Sequence, residues 1–466
     1  MKFTKILATA LTVALGATVS GCHIYQKFDL PTEESAIAAE YAEAKATPVD
    51  SAALGNLPWQ EVFTDPVLAD LINQALENNV DLKNAKLNID VAHANMLGAR
   101  LSYLPSVVLS PNGSGSTSSI AGSKMTWTYQ IPLSVSWEID VFGKILNTKR
   151  SAEAAYRQTQ DYEQAVRSQI IGAVANCYYA LSTLEGQLEL QQQTAKSWEH
   201  SVQIMKDMKE AGGTTEAAVV QSAAQYQSIL ASISDLETSI AETNVTLSLL
   251  LGVMPQTFEI PAAKSVGMPE RFAAGVPMVA LANRPDVRAQ EEALAIAYYA
   301  TNSARAAFYP SLTISPAGGF TNSLGGMIFN PGKWFLNLAG SLTAPLFARG
   351  QNIARLKAAK AQQEQSLNSF EYTVMKASGE VQTALVTYNN ILRKENHLAS
   401  QMELMTQAVD ITETLFRNSA ATYNTTYLEV LTAQQNLLGA QMNYLNCQLA
   451  RSQAVINLYQ SLGGGR

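Results

Sequence analysis

The stretch Trp127-Thr128-Tyr129-Gln130-Ile131-Pro132-Leu133-Ser134-Val135-Ser136-Trp137-Glu138-Ile139-Asp140 decides how this chain is read. Every odd position is apolar and every even position is polar or proline. Successive side chains of a strand point to opposite faces, so this period of two predicts one long strand with an apolar and a polar face. It outruns the usual strand of a compact domain. With Trp127 and Trp137 near its two ends, it fits a tilted membrane strand, lipid on one side and water on the other. The edge of a soluble β-sandwich has the same period, and Pro132 is awkward in either setting. Trp334-Phe335-Leu336-Asn337-Leu338-Ala339-Gly340-Ser341-Leu342 alternates less cleanly, and shorter strands are expected at Val107 to Ser110 and Leu312 to Ser315. Four strands cannot close: small barrels need about eight, and lipid does not tolerate an open edge. The chain must therefore oligomerise, and three or four copies both satisfy the count.

Working outward, the chain repeats itself. Tyr103-Leu104-Pro105-Ser106-Val107 recurs as Phe308-Tyr309-Pro310-Ser311-Leu312, with the prolines 205 residues apart. Val141-Phe142-Gly143-Lys144 recurs at the same offset as Leu346-Phe347-Ala348-Arg349. Two landmarks at one spacing imply duplication of a whole unit. The repeats are placed at 66–252 and 279–463, joined by a linker at 253–278 that holds four of the 16 prolines. Strands are expected within 104–140 and 311–346, and helical hairpins over 144–250 and 351–461.

The hairpins carry heptad seams. One runs through Ile170, Val174, Cys177, Leu181, Leu184 and Leu188, then Ala195, Trp198, Val202 and Met205, interrupted by Gln191. Leu367, Phe370, Val374, Ala377, Val381, Ala384, Tyr388 and Ile391 form a second, and Leu428, Leu431, Gln435, Leu438, Met442, Leu445 and Leu449 a third. This spacing predicts coiled-coil packing. Helices of the length implied by 144–210 and 351–417 span roughly 100 Å at 1.5 Å per residue, a reach that suits a conduit across the periplasm better than a globular core.

Composition excludes several classes. The 466 residues are 47% hydrophobic and 15% charged, with a formal net charge of -7 and no basic stretch interleaved with aromatics, so no nucleic-acid partner is expected. His23, His93, His200 and His397 are isolated, and no nucleophile elbow, P-loop or dinucleotide fingerprint occurs. Cys177 lies on a seam and Cys447 beside one, where small core residues belong, and the methionines scatter rather than cluster. No catalytic residue, cofactor or metal is expected, and the chain does not read as an enzyme.

At the N-terminus, Lys2 and Lys5 precede an apolar run from Ile6 to Val19, too short for a membrane span. The run ends in Val19-Ser20-Gly21-Cys22, which resembles the lipobox of bacterial lipoproteins. That resemblance implies a signal peptide at 1–21, lipidation of Cys22 and a leader over 22–65, extended or loosely helical, held to the membrane by acyl chains. An ordinary signal peptide with a chance cysteine is the plainer alternative.

Thr426-Tyr427-Leu428-Glu429-Val430-Leu431-Thr432-Ala433-Gln434-Gln435-Asn436-Leu437, its counterpart beginning Ala211-Gly212-Gly213-Thr214-Thr215-Glu216, and the junctions Tyr309-Pro310-Ser311 and Ala344-Pro345-Leu346-Phe347 carry a wider resemblance. Together with the duplication, they resemble the TolC-like outer membrane factor family, in its lipidated branch associated with efflux pumps of the resistance-nodulation-division (RND) type. The resemblance implies a mainly α fold with membrane β: a homotrimeric 12-stranded outer-membrane β-barrel, four strands per chain, continued by a long periplasmic α-helical barrel. It implies an outer-membrane channel for passive exit, working with a periplasmic adaptor (membrane fusion protein), an RND-type inner-membrane pump and outer-membrane lipid. Docking would fall on Gly212, Gly213, Thr214, Thr215, Asn424, Thr425 and Thr426, and the gate on Leu428, Glu429, Thr432 and Gln435. Two departures stand out. The turn from Asn418 to Asn424 lacks a glycine, and Asn424 would supply a left-handed conformation instead. Thr432 and Gln435 replace an aspartate and an arginine that often latch the tip of lipidated relatives, so closure is expected to rest on packing and neutral hydrogen bonds, with Glu429 as a cation-attracting ring. The alternatives are the outer channel of a type I protein secretion system and a lipid-anchored periplasmic coiled-coil scaffold without a pore.

Overall fold

The computed structural model describes residues 23–47, 54–117, 125–261, 278–323, 333–418 and 426–465. Three shorter helices, α1 (Ala36–Ala46), α2 (Trp59–Val62) and α3 (Pro66–Asn78), lead into α4 (Val80–Leu101). Strands β1 (Ser106–Leu109), β2 (Asn112–Ser116) and β3 (Thr126–Ile139) follow, then the helices α5 (Lys144–Glu210) and α6 (Glu216–Leu250). After the short α7 (Met278–Ala282) the order recurs as α8 (Pro285–Ala306), β4 (Ser311–Ser323), β5 (Trp334–Thr343), α9 (Gln351–Asn418) and α10 (Tyr427–Ser461). Contacts divide the chain into two compact units, each drawing on both repeats. The first holds the described residues up to Ala38 with Leu87–Asp161 and Arg288–Tyr372, and the second holds Ala39–Lys86, Tyr162–Val287 and the residues from Thr373 onward.

The first unit contains the sheet, antiparallel throughout, in the order β1-β3-β4-β5. β2 also pairs with β3 and keeps the register of β1: Leu109 faces Leu133, and Asn112 faces Gln130. They are one strand position interrupted at Pro111, which has no N–H to donate. Ser110 N still donates to Pro132 O at 3.2 Å. The sheet thus has four strand positions, and its central pair joins a strand from each repeat. The β1/β2 position and β4 run further than their sequence predicts, the first through Asn112–Ser116 and the second on to Ser323. Small residues there have little strand propensity of their own; they pair where neighbours come too close for larger ones. A Cβ on Gly319, opposite Pro132, would lie 2.1 Å from Ile131 O, and one on Gly115 would lie 3.2 Å from the Trp127 ring.

In the second unit the helices pack along their seams. Val174, Leu181, Trp198 and Met205 of α5 are buried, as are Val374, Ala377 and Val381 of α9. Gln191 stays on its seam although buried, and its Oε1 has no hydrogen-bond partner, while Gln187 Nε2 reaches Asn446 Oδ1 at 2.9 Å. Among the described residues no helix is long and apolar enough to cross a membrane. The leader is packed rather than loose. Tyr41, Trp59 and Phe63 are fully buried, and Phe63 meets Tyr459 edge-on at 5.9 Å. Tyr459 OH donates to Leu57 O at 2.8 Å, and Asp65 both caps α3 and accepts from Tyr178 OH at 2.9 Å. Aromatic side chains bury large areas, which is why the described parts of this stretch pack without periodicity.

Arg284, buried just before α8, ties three elements of the second unit together. Its Nε and Nη2 donate to Asp286 at 3.0 and 2.7 Å, Nη2 also to Glu380 at 2.6 Å, and Nη1 to Ser461 O at 3.0 Å. The cluster lines a cleft of about 720 Å³ with Ser168 and Lys376. Burial alone would raise the Asp286 carboxyl, but the Arg284 hydrogen bonds and charge outweigh it and hold the group below the usual carboxylate range.

Two outcomes follow. Gly319→Val should force β4 away from β3 and abolish the heat-modifiable, protease-resistant form on gels, while far-UV circular dichroism keeps the helical signal. The folded pKa of Asp286 lies below the unfolded value of about 3.9, so its contribution is complete above about pH 4 and is lost as pH falls through the lower folded value. Asp286→Asn should accordingly lower the melting temperature at neutral pH and flatten its decline below about pH 4.

Candidate functional site

The register gives the sheet two chemically distinct faces. Val107 and Leu109 of β1 line up with Val135 and Leu133 of β3, Trp137 with Ile314 of β4, and Ile314 in turn with Gly340 of β5. On the same face Ile131, Phe320 and Trp334 stand in a row, and Leu336, Leu338 and Leu342 continue it along β5. Leu338 is 76% exposed and Leu342 69%. The opposite face carries Ser106, Ser134, Ser136, Thr313, Ser315, Asn337 and Ser341. An apolar face of this extent, with aromatics toward both ends, matches the lipid-facing band of a membrane barrel, and the hydroxyl-rich face matches a wet lumen. Among the described residues, the outer edges of β1/β2 and of β5 pair with no other strand.

The base of the sheet is held by the residues that follow Cys22, which itself lies outside the described residues. Ile24 is buried, and its carbonyl accepts from Asn147 Nδ2 at 2.9 Å. Arg150 Nη1 donates to the carbonyls of Tyr25 and Gln26, both at 3.0 Å, and lies over the Tyr299 ring. Tyr25 OH donates to Val141 O. Gly143 adopts φ 69°, and a Cβ there would lie 3.0 Å from Ile24, so this turn needs glycine on both counts. Sequence reading missed this strap, since its hydrogen-bond partners lie 116 to 125 residues away.

At the hairpin ends, α5 stops in a glycine turn. Gly212, at φ 74°, donates to Lys209 O, and Gly213 N donates to Met208 O at 2.8 Å. Thr214 is half-buried, while Thr215 is exposed and accepts from Ala218 N at the start of α6. Lys209 pairs with Glu216 across the turn. Of the second turn, Asn424 and Thr425 lie outside the described residues, and Thr426 stands exposed at the N-cap of α10 without a side-chain cap bond. Leu428 is half-buried, and Glu429, Thr432 and Gln435 are exposed. Their spacing of three places them along one stripe of α10. The opposite stripe packs inward, with Leu431 in a cluster with Trp198, Ile229 and Ala195, and Tyr427 against it. Tyr427 OH bonds to Ser201 Oγ at 2.9 Å and its ring lies 5.1 Å from that of Phe416. Gln434 Nε2 donates to Glu413 Oε1 at 3.0 Å, and Thr432 Oγ1 donates back to Leu428 O at 2.8 Å. Contacts at this end combine aromatic packing, neutral and single-charge hydrogen bonds, and two ion pairs, Lys209 with Glu216 and Arg417 with Glu413 at 3.6 Å. Sequence spacing located Leu431 and Trp198 on their seams but gave no sign of the Tyr427–Ser201 bond.

Comparison with known proteins agrees with both ends of this description. The sequence profile described as outer membrane efflux protein matches residues 71–253 and again 276–464, one match per repeat. Similar proteins include the cation efflux system protein CusC of Escherichia coli, 28% identical over 88% of each chain. The probable outer membrane lipoprotein SilC of Salmonella typhimurium is 26% identical over 99% of this chain and 98% of its own. The solvent efflux pump outer membrane protein SrpC of Pseudomonas putida is 30% identical over 87% of each. A crystal structure of CusC superposes with a TM-score of 0.82 at 25% identity, covering 94% of this chain and 98% of that one. Two-faced strands, long seamed helices and a twofold internal match together make this chain a member of the outer membrane efflux protein family.

Proposed function

We propose that three copies of this chain close a twelve-stranded barrel in the bacterial outer membrane and form the exit channel of a tripartite efflux system. The observation that carries it is the sheet itself: one continuous apolar face and two open edges, a combination stable in lipid only when other copies supply the missing strands. Cys22 is the lipid anchor, beside the strap at the base of the sheet. The hydroxyl-rich face lines the lumen, and the α5–α6 and α9–α10 hairpins form a periplasmic helical barrel. The channel is passive. An RND-type inner-membrane pump drives export, and a periplasmic adaptor docks on Gly212, Gly213, Thr214, Thr215, Asn424, Thr425 and Thr426. Relatives named for cations and for solvents share this plan, so the cargo is set by the pump.

The gate is the exposed stripe of α10. Three copies bring three Glu429 carboxylates around one axis, and like charge in a narrow passage concentrates cations. Thr432 and Gln435 offer no ionic latch there, so Leu428, Leu431 and Tyr427 hold the closed tip by packing.

Purified from outer membranes, the protein should run as a heat-modifiable trimer and give discrete single-channel currents in planar bilayers; a protein without either property forms no pore. Glu429→Gln should lower the preference for cations over anions, and Thr432→Ala should raise the closed-state leak. Unchanged selectivity and leak in both would place the gate elsewhere.

A further inference from the structure

The two strand-to-helix junctions of the first unit share a plan but not a charge balance. At the offset of 205 residues, Lys144, Asn147, Arg150 and Ala154 become Arg349, Asn352, Arg355 and Ala359. Both alanines are buried, so the correspondence holds in the fold as well. The stretch 138–155 sets Glu138, Asp140 and Glu153 against Lys144, Lys149 and Arg150, a net charge of zero. In 343–360 the three acidic positions hold Thr343, Pro345 and Ala358, while Lys357 and Lys360 replace Ala152 and Ala155. Four cations remain there without an acid, a net charge of +4.

The first set is satisfied inside the chain. Lys144 pairs with Glu138 at 2.9 Å, Lys149 with Glu153 at 3.9 Å, and Arg150 holds the strap carbonyls of Tyr25 and Gln26. The second set, Arg349, Arg355, Lys357 and Lys360, is exposed, and among the described residues it makes no hydrogen bond or ion pair. Asn147 secures the strap through Ile24 O, whereas Asn352 donates to Ala307 O at 3.0 Å. Like charges this close destabilise one another, so the second junction favours an anion from outside the chain.

Its level in the fold points to the kind of anion. The strap on the first junction begins beside Cys22, the lipid anchor proposed above, so that junction lies next to lipid. At the second, Leu342 and Leu346, 69% and 97% exposed, carry apolar surface from β5 down to the corresponding level. From Gln351 to Lys360 the helix then advances about 14 Å. That distance spans a headgroup layer of roughly 5 to 8 Å and the reach of long side chains that keep their charge in water.

We infer that the second junction binds the phosphate headgroup of an anionic phospholipid in the periplasmic leaflet. Arg355 takes the phosphate where Arg150 takes the strap carbonyls, its planar fork matching two phosphate oxygens. Arg349 adds charge at the level where Lys144 meets Glu138, and Lys357 and Lys360 extend the field along a neighbouring stripe of α9. Leu346 lies against the acyl chains. One junction is thus tied to the membrane by a lipid carried on the chain, the other by a lipid of the bilayer. The inference rests on the outer-membrane reading above and adds a lipid site to it.

Lipid titration of the trimer, purified from outer membranes in a neutral detergent, tests this. Phosphatidylglycerol should bind more tightly than phosphatidylcholine. Inorganic phosphate at matched ionic strength should not displace it, because the acyl chains are part of the contact. Arg349→Gly with Arg355→Gln should weaken phosphatidylglycerol binding about 25-fold, at roughly fivefold per cation, and leave phosphatidylcholine unchanged. Arg349 stands at φ 49°, so glycine there relieves the backbone rather than straining it. Lys83→Gln with Lys86→Gln removes the same charge from α4 and should bind as the unmodified protein does. The site is overturned if phosphatidylcholine binds equally well, if free phosphate displaces the lipid, or if the two double variants behave alike while all remain heat-modifiable trimers. If the unmodified protein forms no such trimer, the outer-membrane channel fails and the site with it.

Discussion

A strand edge left unpaired in hydrocarbon is the constraint on which this protein depends. Each exposed N–H and C=O in lipid costs several kcal/mol, and the chain presents two whole edges beside an apolar face. Nothing within its described residues covers them. In the proposed assembly, oligomerisation is therefore part of the fold, and the duplicated architecture supplies the means. A chain that already joins β3 of its first repeat to β4 of its second carries, at its outer edges, the same two kinds of strand with the repeats exchanged.

The helices answer a different demand. α5 and α9 run 67 and 68 residues, with seams of Val, Leu, Phe and Trp buried along their inner sides. Such length multiplies helix–helix contact without building a globular core. Where charge is buried it is paired: Arg284 with two carboxylates and a carbonyl, and Asp161 with Arg288. These pairs bind separate stretches of the chain to one another. Removing one partner of a buried pair leaves a charge uncompensated, which is more damaging than the pair is stabilising. At the hairpin ends the ion pairs are exposed, and aromatic contact and hydrogen bonds join Tyr427 to Phe416 and Ser201, contacts that are weaker individually than a buried charge pair.

Much of this was legible in the sequence wherever a short period governed it. The faces of β3 followed from strict alternation, and the helical seams from their spacing of four and three. What escaped was structure imposed by partners. Asn112–Ser116 has the composition of a loop and is a strand because β3 runs alongside it. The leader has no periodicity, and the bond from Tyr459 to Leu57 that secures it spans 402 residues. The Arg284 cluster gathers residues from three distant segments, and the strap after Cys22 has its partners far along the chain, at Val141 and in the first turns of α5. At the candidate gate, helical spacing puts Gln435 on the seam with Leu431, whereas it lies exposed on a stripe with Glu429 and Thr432, and in the proposed assembly other copies decide what that stripe faces.

Amide hydrogen exchange across the four strand positions, measured on the protein assembled in lipid nanodiscs, tests the central claim most directly. If neighbouring copies complete the sheet, the amides of β1 and β5 should be protected as strongly as those of β3 and β4. Rapid exchange along either outer strand, with the central pair still protected, would mean that the edges stay open and would contradict the account.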